Sequence, residues 1–441
     1  MSRDSGAPMA VGFAEALRWW LRLGFISFGG PAGQVAIMHD ELVVRRRWIS
    51  ERRFLHALNY CMVLPGPEAQ QLATYIGWLL HGAPGGIAAG ALFVLPSLFI
   101  LVALSWVYLR FSEVPAVAGV LYGLKPAVTA IVLHAAWRIG RRALRGPVLW
   151  AIAGLAFAAI SFVEAPFPLI ILSALALGFA GGRLAPRHFG GASPGPAAGY
   201  GPALIDDTTP APAHAAPSRA RLVRGLALGL GLWAAAYGTL ALTLGADHTL
   251  ARMGAFFTTA ALLTFGGAYA VLPYVVQAAV LQYGWLSATQ MIDGLALGET
   301  TPGPLIMVVA FVGFVGGWQH GALGPDALFW GGVAGAAVAT FFTFLPSFLF
   351  ILLGGPLVEA TREDLKFTAP LTAVTAAVVG VILNLALFFA GHVLWPGGAI
   401  DWAAVAIALA ALVALVRFDA GIVRTLAACA AAGLAATFLP R

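Results

Sequence analysis

Residues 24–67 read GFISFGGPAGQVAIMHDELVVRRRWISERRFLHALNYCMVLPGP. Two backbone breaks, Phe28-Gly29-Gly30-Pro31 and Pro65-Gly66-Pro67, stand inside this apolar stretch. Glycine and proline interrupt regular structure in such surroundings. The pattern recurs: Phe265-Gly266-Gly267, Trp285-Leu286-Ser287 and Pro302-Gly303-Pro304 stand 237 positions after Phe28-Gly29-Gly30, Trp48-Ile49-Ser50 and Pro65-Gly66-Pro67. One offset kept across three markers indicates an internal duplication.

The chain around these markers has 441 residues, 60% of them hydrophobic and only 10% charged. Soluble domains carry about 25% charged residues. Apolar runs of about 20 residues recur along the whole length, which predicts an all-α polytopic membrane protein. The net charge of +6 comes from arginine, with only Lys125 and Lys366 as lysines. Short arginine loops between apolar runs follow the positive-inside bias and do not point to nucleic acid. Cys61 and Cys429 lie in apolar segments far apart in sequence, so neither a disulfide framework nor a cysteine metal site is expected, and His39, His56, His81 and His134 show no metal-ligand spacing. No lysine follows a glycine, so there is no phosphate-binding loop. No cofactor pattern and no catalytic dyad stand out, so an enzyme is not expected. Glu15, Arg18 and Arg22 interrupt the first apolar run, which argues against a cleavable signal peptide.

Two repeats are expected, over residues 1–182 and 246–441, joined by a disordered cytoplasmic linker at 183–221 and a connecting span at 222–245. In the first repeat, 11–38 is broken at Gly29-Gly30-Pro31. Pieces at 54–64 and 68–81 are too short to cross about 30 Å and hinge at Pro65-Gly66-Pro67. Spans follow at 85–109, 115–137, 147–162 and 166–182. The second repeat has a broken segment at 250–282 and short pieces at 290–299 and 304–319, then spans at 325–353, 369–391, 402–416 and 421–439. The basic loops Arg45 to Arg53, Arg138 to Arg145, Arg362 to Lys366 and Arg417 to Arg424 all face the cytoplasm if the lone span inverts the second repeat. The N-terminus is then cytoplasmic and the C-terminus periplasmic, and the segment 11–46 must re-enter on the face it left. This is the plan of an inverted-repeat transporter with discontinuous helices.

A helix restarted after Gly-Gly-Pro or Pro-Gly-Pro presents free backbone N–H groups and partial positive charge, which together suit an anion. Gly29, Gly30, Pro31, Pro65, Gly66, Pro67, Gly266, Gly267, Pro302, Gly303 and Pro304 are therefore candidate binding positions. The alternative is that these breaks only kink helices for packing. Gln71, Thr300 and Thr301 offer neutral hydrogen bonds beside the tips, and Ser97 and Ser347 are weaker candidates. Lys125 is a cation within a span, where it either meets an anionic substrate or forms a structural pair with Glu68 or Glu299. Glu68 and Glu299 flank the two tips and suit proton carriage. Glu68 could instead serve as a first-turn partner of its own helix dipole.

Together, Phe28-Gly29-Gly30-Pro31, the run from Leu64 to Trp78 (LPGPEAQQLATYIGW), Phe93-Val94-Leu95-Pro96-Ser97 and the run from Gly298 to Leu305 (GETTPGPL) resemble the chromate ion transporter family in its long, two-domain form. The resemblance covers nearly the whole chain outside the linker. It implies two homologous halves in opposite orientation with about 13 membrane segments, in a bacterial inner membrane. It also implies efflux of chromate, with sulfate as a related oxyanion, and hence chromate resistance. A proton-coupled sulfate or other oxyanion permease is the alternative within that class. The lipid bilayer and the oxyanion are the expected partners, and a homodimer is compatible with the sequence. Ala268 stands in the second repeat where the first has Pro31.

Overall fold

The computed structural model describes residues 10–28, 30–189, 200–210, 212–216, 218–360 and 368–438. Gly29, linker residues 190–199 and the Arg362 to Lys366 loop lie outside the described residues. The chain is an all-α polytopic membrane protein. Six helices are long and apolar enough to cross a bilayer, and several shorter apolar helices accompany them.

The first half runs α1 (Phe13–Ile26), α2 (Gly30–His39), a π-helical turn (Asp40–Arg45), α3 (Glu51–Val63), α4 (Glu68–Phe111), α5 (Pro115–Ala143), α6 (Pro147–Phe162) and α7 (Phe167–Leu184). A single helix, α8 (Arg219–Leu244), follows. The second half repeats the order as α9 (Thr249–Leu262), α10 (Ala268–Val276), a second π turn (Gln277–Gln282), α11 (Ala288–Thr300), α12 (Val308–Gln319), α13 (Leu328–Ala360), α14 (Thr368–Leu394), α15 (Trp402–Arg417) and α16 (Ile422–Phe438). The two π turns and the helices α3 and α11 keep the 237-residue offset at both of their ends. The duplication is therefore one of backbone conformation as well as of motif.

The broken segments enter and return. Arg46 donates to Glu15 at 2.9 Å and its guanidinium lies over Trp19, so the chain is back beside the start of α1 after passing Gly30. The hairpin of α3 and the first part of α4 does the same. His81 meets the carbonyl of Val11 at 2.9 Å, and non-helical torsions at His81 and Gly82 (φ 65°) separate this returning piece from the long helix behind it. In the second half the rings of Tyr283 and Trp285 return beside Phe256. The 14-residue α1 spans about 21 Å at 1.5 Å per residue, short of a bilayer core.

The halves are interleaved. The helix α5 packs on α15 and α16 of the other half, α14 packs on α6 and α7, and the pairs α4–α13 and α5–α14 meet across the centre. Small residues allow this approach. A Cβ on Gly123 of α5 would lie 2.0 Å from the carbonyl oxygen of Cys429 on α16, and one on Gly380 of α14 would lie 2.1 Å from that of Ala153 on α6.

The stretch between the halves departs from the disordered linker expected of its composition. Its described part packs on the face of the first re-entrant segments. Ile205 forms a parallel bridge with Ile49, and His214 meets the carbonyl of Trp78 at 2.8 Å. Scattered apolar residues, Ile205 and Ala215 among them, are buried there, and a composition average conceals them.

Candidate functional site

The two Pro-Gly-Pro tips adopt backbone that only glycine accepts readily: Gly66 has φ 128° and Gly303 φ 105°. Each tip plugs into the break of the opposite half. The N–H of Gly66 donates to the carbonyl of Thr264 at 2.7 Å, and the N–H of Gly303 donates to that of Ser27 at 2.8 Å. Ser27 and Thr264 end their respective stretches of α1 and α9, so unsatisfied helix-terminal carbonyls are answered by tip amides. Gln34 adds a bond from Nε2 to the carbonyl of Gly303 at 2.6 Å. The two tip amides are thus committed to the fold. The amides left for an anion are those of the helices the tips begin.

At the first tip, Pro67 offers no side chain to cap α4, and the first helical bond is Gln71 N–H to Pro67 carbonyl at 2.9 Å. The amides of Glu68, Ala69 and Gln70 precede that bond. Across from them α10 begins after Gly267, again without a side-chain cap, and its first bond is Ala270 N–H to Gly267 carbonyl. A Cβ on Gly267 would lie 3.6 Å from Glu68 Oε1, so the carboxylate sits between the starts of two helices from opposite halves. Ser347 of α13 closes the third side. A Cβ on Gly66 would lie 2.2 Å from its Oγ, and that hydroxyl is buried without a partner. Gln71 supports the tip by donating from Nε2 to the carbonyl of Pro65 at 2.8 Å. Leu64, Pro65, Glu68, Phe265 and Gly266 are only half-buried, so this site is reachable from outside the packed core.

The second tip is closed. Thr301 to Ala310 are all buried. Thr300 and Thr301 donate their hydroxyls back to the carbonyls of Leu297 and Gly298, each at 2.9 Å, and so finish α11. Glu299 is buried and accepts from Tyr269 at 2.5 Å. Pro302 and Pro304 flank Gly303, which packs on Ser97 of α4, the counterpart of Ser347 and likewise buried without a partner. Gly30 and Pro31 begin α2 beside this tip's partner Ser27, and nothing lies within 4 Å of a Cβ on Gly30.

Lys125 meets neither glutamate. Its Nζ lies 3.6 Å from Asp293 Oδ2 on α11, and Tyr108 of α4 donates to the same oxygen at 3.0 Å. Asp293 stands about two helical turns before the second tip. A second buried pair joins the halves elsewhere: Arg53 of α3 donates to Glu359 of α13 at 2.7 Å, and Tyr75 donates to the same carboxylate at 2.5 Å. Sequence reasoning passed over Asp293, although a carboxylate within the apolar run of α11 was the available signal. Among the described residues no cluster of His, Cys, Asp or Glu is placed to hold a metal ion.

The chromate transporter family matches the chain twice, over residues 14–179 and 251–434, leaving out the linker and all of α8. A chromate transport protein of Pseudomonas aeruginosa is 34% identical over 379 residues, covering 85% of this chain and 80% of that protein. A chromate transport protein of Cupriavidus metallidurans is 29% identical over 377 residues, covering 85% and 82%. A probable chromate transport protein of Synechococcus elongatus is 28% identical over 385 residues, covering 86% of each. No solved structure matches. With both halves matched and its helix breaks duplicated, the chain belongs to the chromate transporter family.

Proposed function

We propose that this protein exports chromate from the bacterial cytoplasm across the inner membrane by alternating access, and thereby confers chromate resistance. The observation that carries this reading is the meeting of two uncapped helix N-termini, from α4 and α10, at a half-buried site inside a membrane protein. Such termini bind anions through amide donors and partial positive charge, without a formal cation to desolvate. Sulfate, a tetrahedral dianion like chromate, presents the same four oxygens to these amides.

Glu68 is the proton-coupling residue in this reading, since it is the carboxylate at the reachable tip. Glu299, bonded to Tyr269, holds the closed tip. The charge distribution supports a cytoplasmic N-terminus and a periplasmic C-terminus, with the re-entrant hairpins of the two halves on opposite faces. Outward movement of a dianion is favoured by an inside-negative potential, which contributes about 2.3 kcal/mol per charge per 100 mV. No nucleotide is needed for the export direction.

Cells expressing the protein are expected to accumulate several-fold less chromate than vector controls in a timed uptake assay. Equal accumulation, with the protein present in the membrane, would overturn export. Competition by sulfate in inside-out vesicles reads the specificity directly.

A further inference from the structure

We propose that the Glu68 carboxylate occupies the oxyanion's own place, so that the anion binds at the first tip only when Glu68 has taken up a proton, with the Ser347 hydroxyl as a direct ligand. This rests on the oxyanion-transport reading and specifies its site and coupling sense. Three observations on separate elements carry it. First, Glu68 Oε1 lies against Gly267, where α10 presents its free amides, while Glu68 itself heads α4. A carboxylate placed there stands in the field of both helix starts, though it makes no hydrogen bond to the amides of either, and so takes the position an incoming anion would need. Second, Ser347 Oγ is 1% exposed by residue, has no hydrogen-bond partner and abuts the Gly66 tip. A buried hydroxyl without a partner costs free energy unless a ligand satisfies it. Third, the site is half-buried, whereas its counterpart at the second tip is sealed and carries Leu305 in place of Glu68.

Two like charges cannot share this position. A dianion arriving beside an ionised Glu68 meets repulsion in a medium of low dielectric. Once the carboxyl carries a proton, its charge is gone and its O–H becomes a donor beside the free amides of α4 and α10. Among the described residues, the Cys61 thiol of α3 is a titratable group within electrostatic reach of Glu68. The facing positions on α9, α10 and α13 are Thr264, Gly267 and Ser347, none of which ionises. The proton and the oxyanion therefore bind in the same state and cross together, so one net negative charge moves and an inside-negative potential still favours export. A carrier that exchanged one for the other would need them to exclude each other.

The test is chromate binding to the purified full-length protein in detergent, by equilibrium dialysis between pH 6 and pH 8, for wild type, Glu68→Gln and Ser347→Ala. Chromate takes up a proton itself near neutrality, so the readout is the ratio of wild-type to variant Kd at each pH, in which that equilibrium cancels. Glu68→Gln mimics the protonated carboxyl. It is expected to bind as wild type does at the acid end and at least about tenfold more tightly at the alkaline end, a difference worth 1.4 kcal/mol per decade. Ser347→Ala is expected to bind several-fold more weakly at every pH. A flat Glu68→Gln ratio, or weaker binding by Glu68→Gln throughout, would overturn the competition. Unchanged binding by Ser347→Ala would remove the hydroxyl from the site. If wild type binds no chromate at any pH while eluting as a folded monodisperse protein, the oxyanion-transport reading falls and this inference falls with it.

Discussion

Gly66 combines two demands that rarely coincide. Its φ of 128° excludes side chains on conformational grounds, and a Cβ there would lie 2.2 Å from Ser347 Oγ and 2.7 Å from Gln71 Nε2. Gly30 shares the first demand, with φ 70°, but has open space around it. Gly30→Ala should therefore cost about 1–2 kcal/mol from backbone strain alone. Gly66→Ala should cost at least the about 1–3 kcal/mol of a strained position, with steric overlap added. Thermal unfolding in detergent is expected to show a clearly larger fall in Tm for Gly66→Ala, and chromate transport should be lost in that variant. Equal shifts would mean that the tip is looser than its contacts indicate. The need for glycine at these positions was legible in the sequence, because duplicated Gly-Pro breaks have few other uses within apolar runs. The destination of the Gly66 and Gly303 amides was not. Spacing along one half cannot disclose that a carbonyl of the other half, Thr264 or Ser27, takes the bond.

At the scale of elements, the same limit applies to Lys125. The sequence located an intramembrane cation on α5, yet its partner Asp293 lies on α11, far along the chain and brought close only by the interleaving of the halves. Asp293 is 2% exposed and Lys125 27% exposed. Removing a partner from a buried pair costs about 3–5 kcal/mol, and the exposure of Lys125 places this pair towards the lower end. Lys125→Ala is expected to lower Tm and transport, and the Lys125→Ala/Asp293→Asn double variant to recover much of both. If the double variant remains as inactive as Lys125→Ala while its Tm recovers, Lys125 serves the anion rather than the α5–α11 contact. The pair of Arg53 with Glu359 ties α3 to α13 in the same manner and was equally hidden, since its members are about 300 residues apart.

For the whole molecule, the sequence made the duplication, the all-α class and the lone α8 between the halves readable, because each is written in local composition and offset. It did not make readable that the two tips differ in accessibility, with the first half-buried at Glu68 and the second sealed from Thr301 onward. That difference arises from how the halves close on each other. One reachable tip and one sealed tip, related by duplication, are the asymmetry expected of a single state under the alternating access proposed above. The direct measurement is chromate flux into or out of proteoliposomes holding the purified protein, with an imposed membrane potential and, separately, an imposed pH gradient. Flux well above protein-free liposomes is expected, faster when the potential draws anions to the receiving side and faster again when a proton gradient runs the same way as the chromate. Flux no greater than that of protein-free liposomes under either gradient would contradict it.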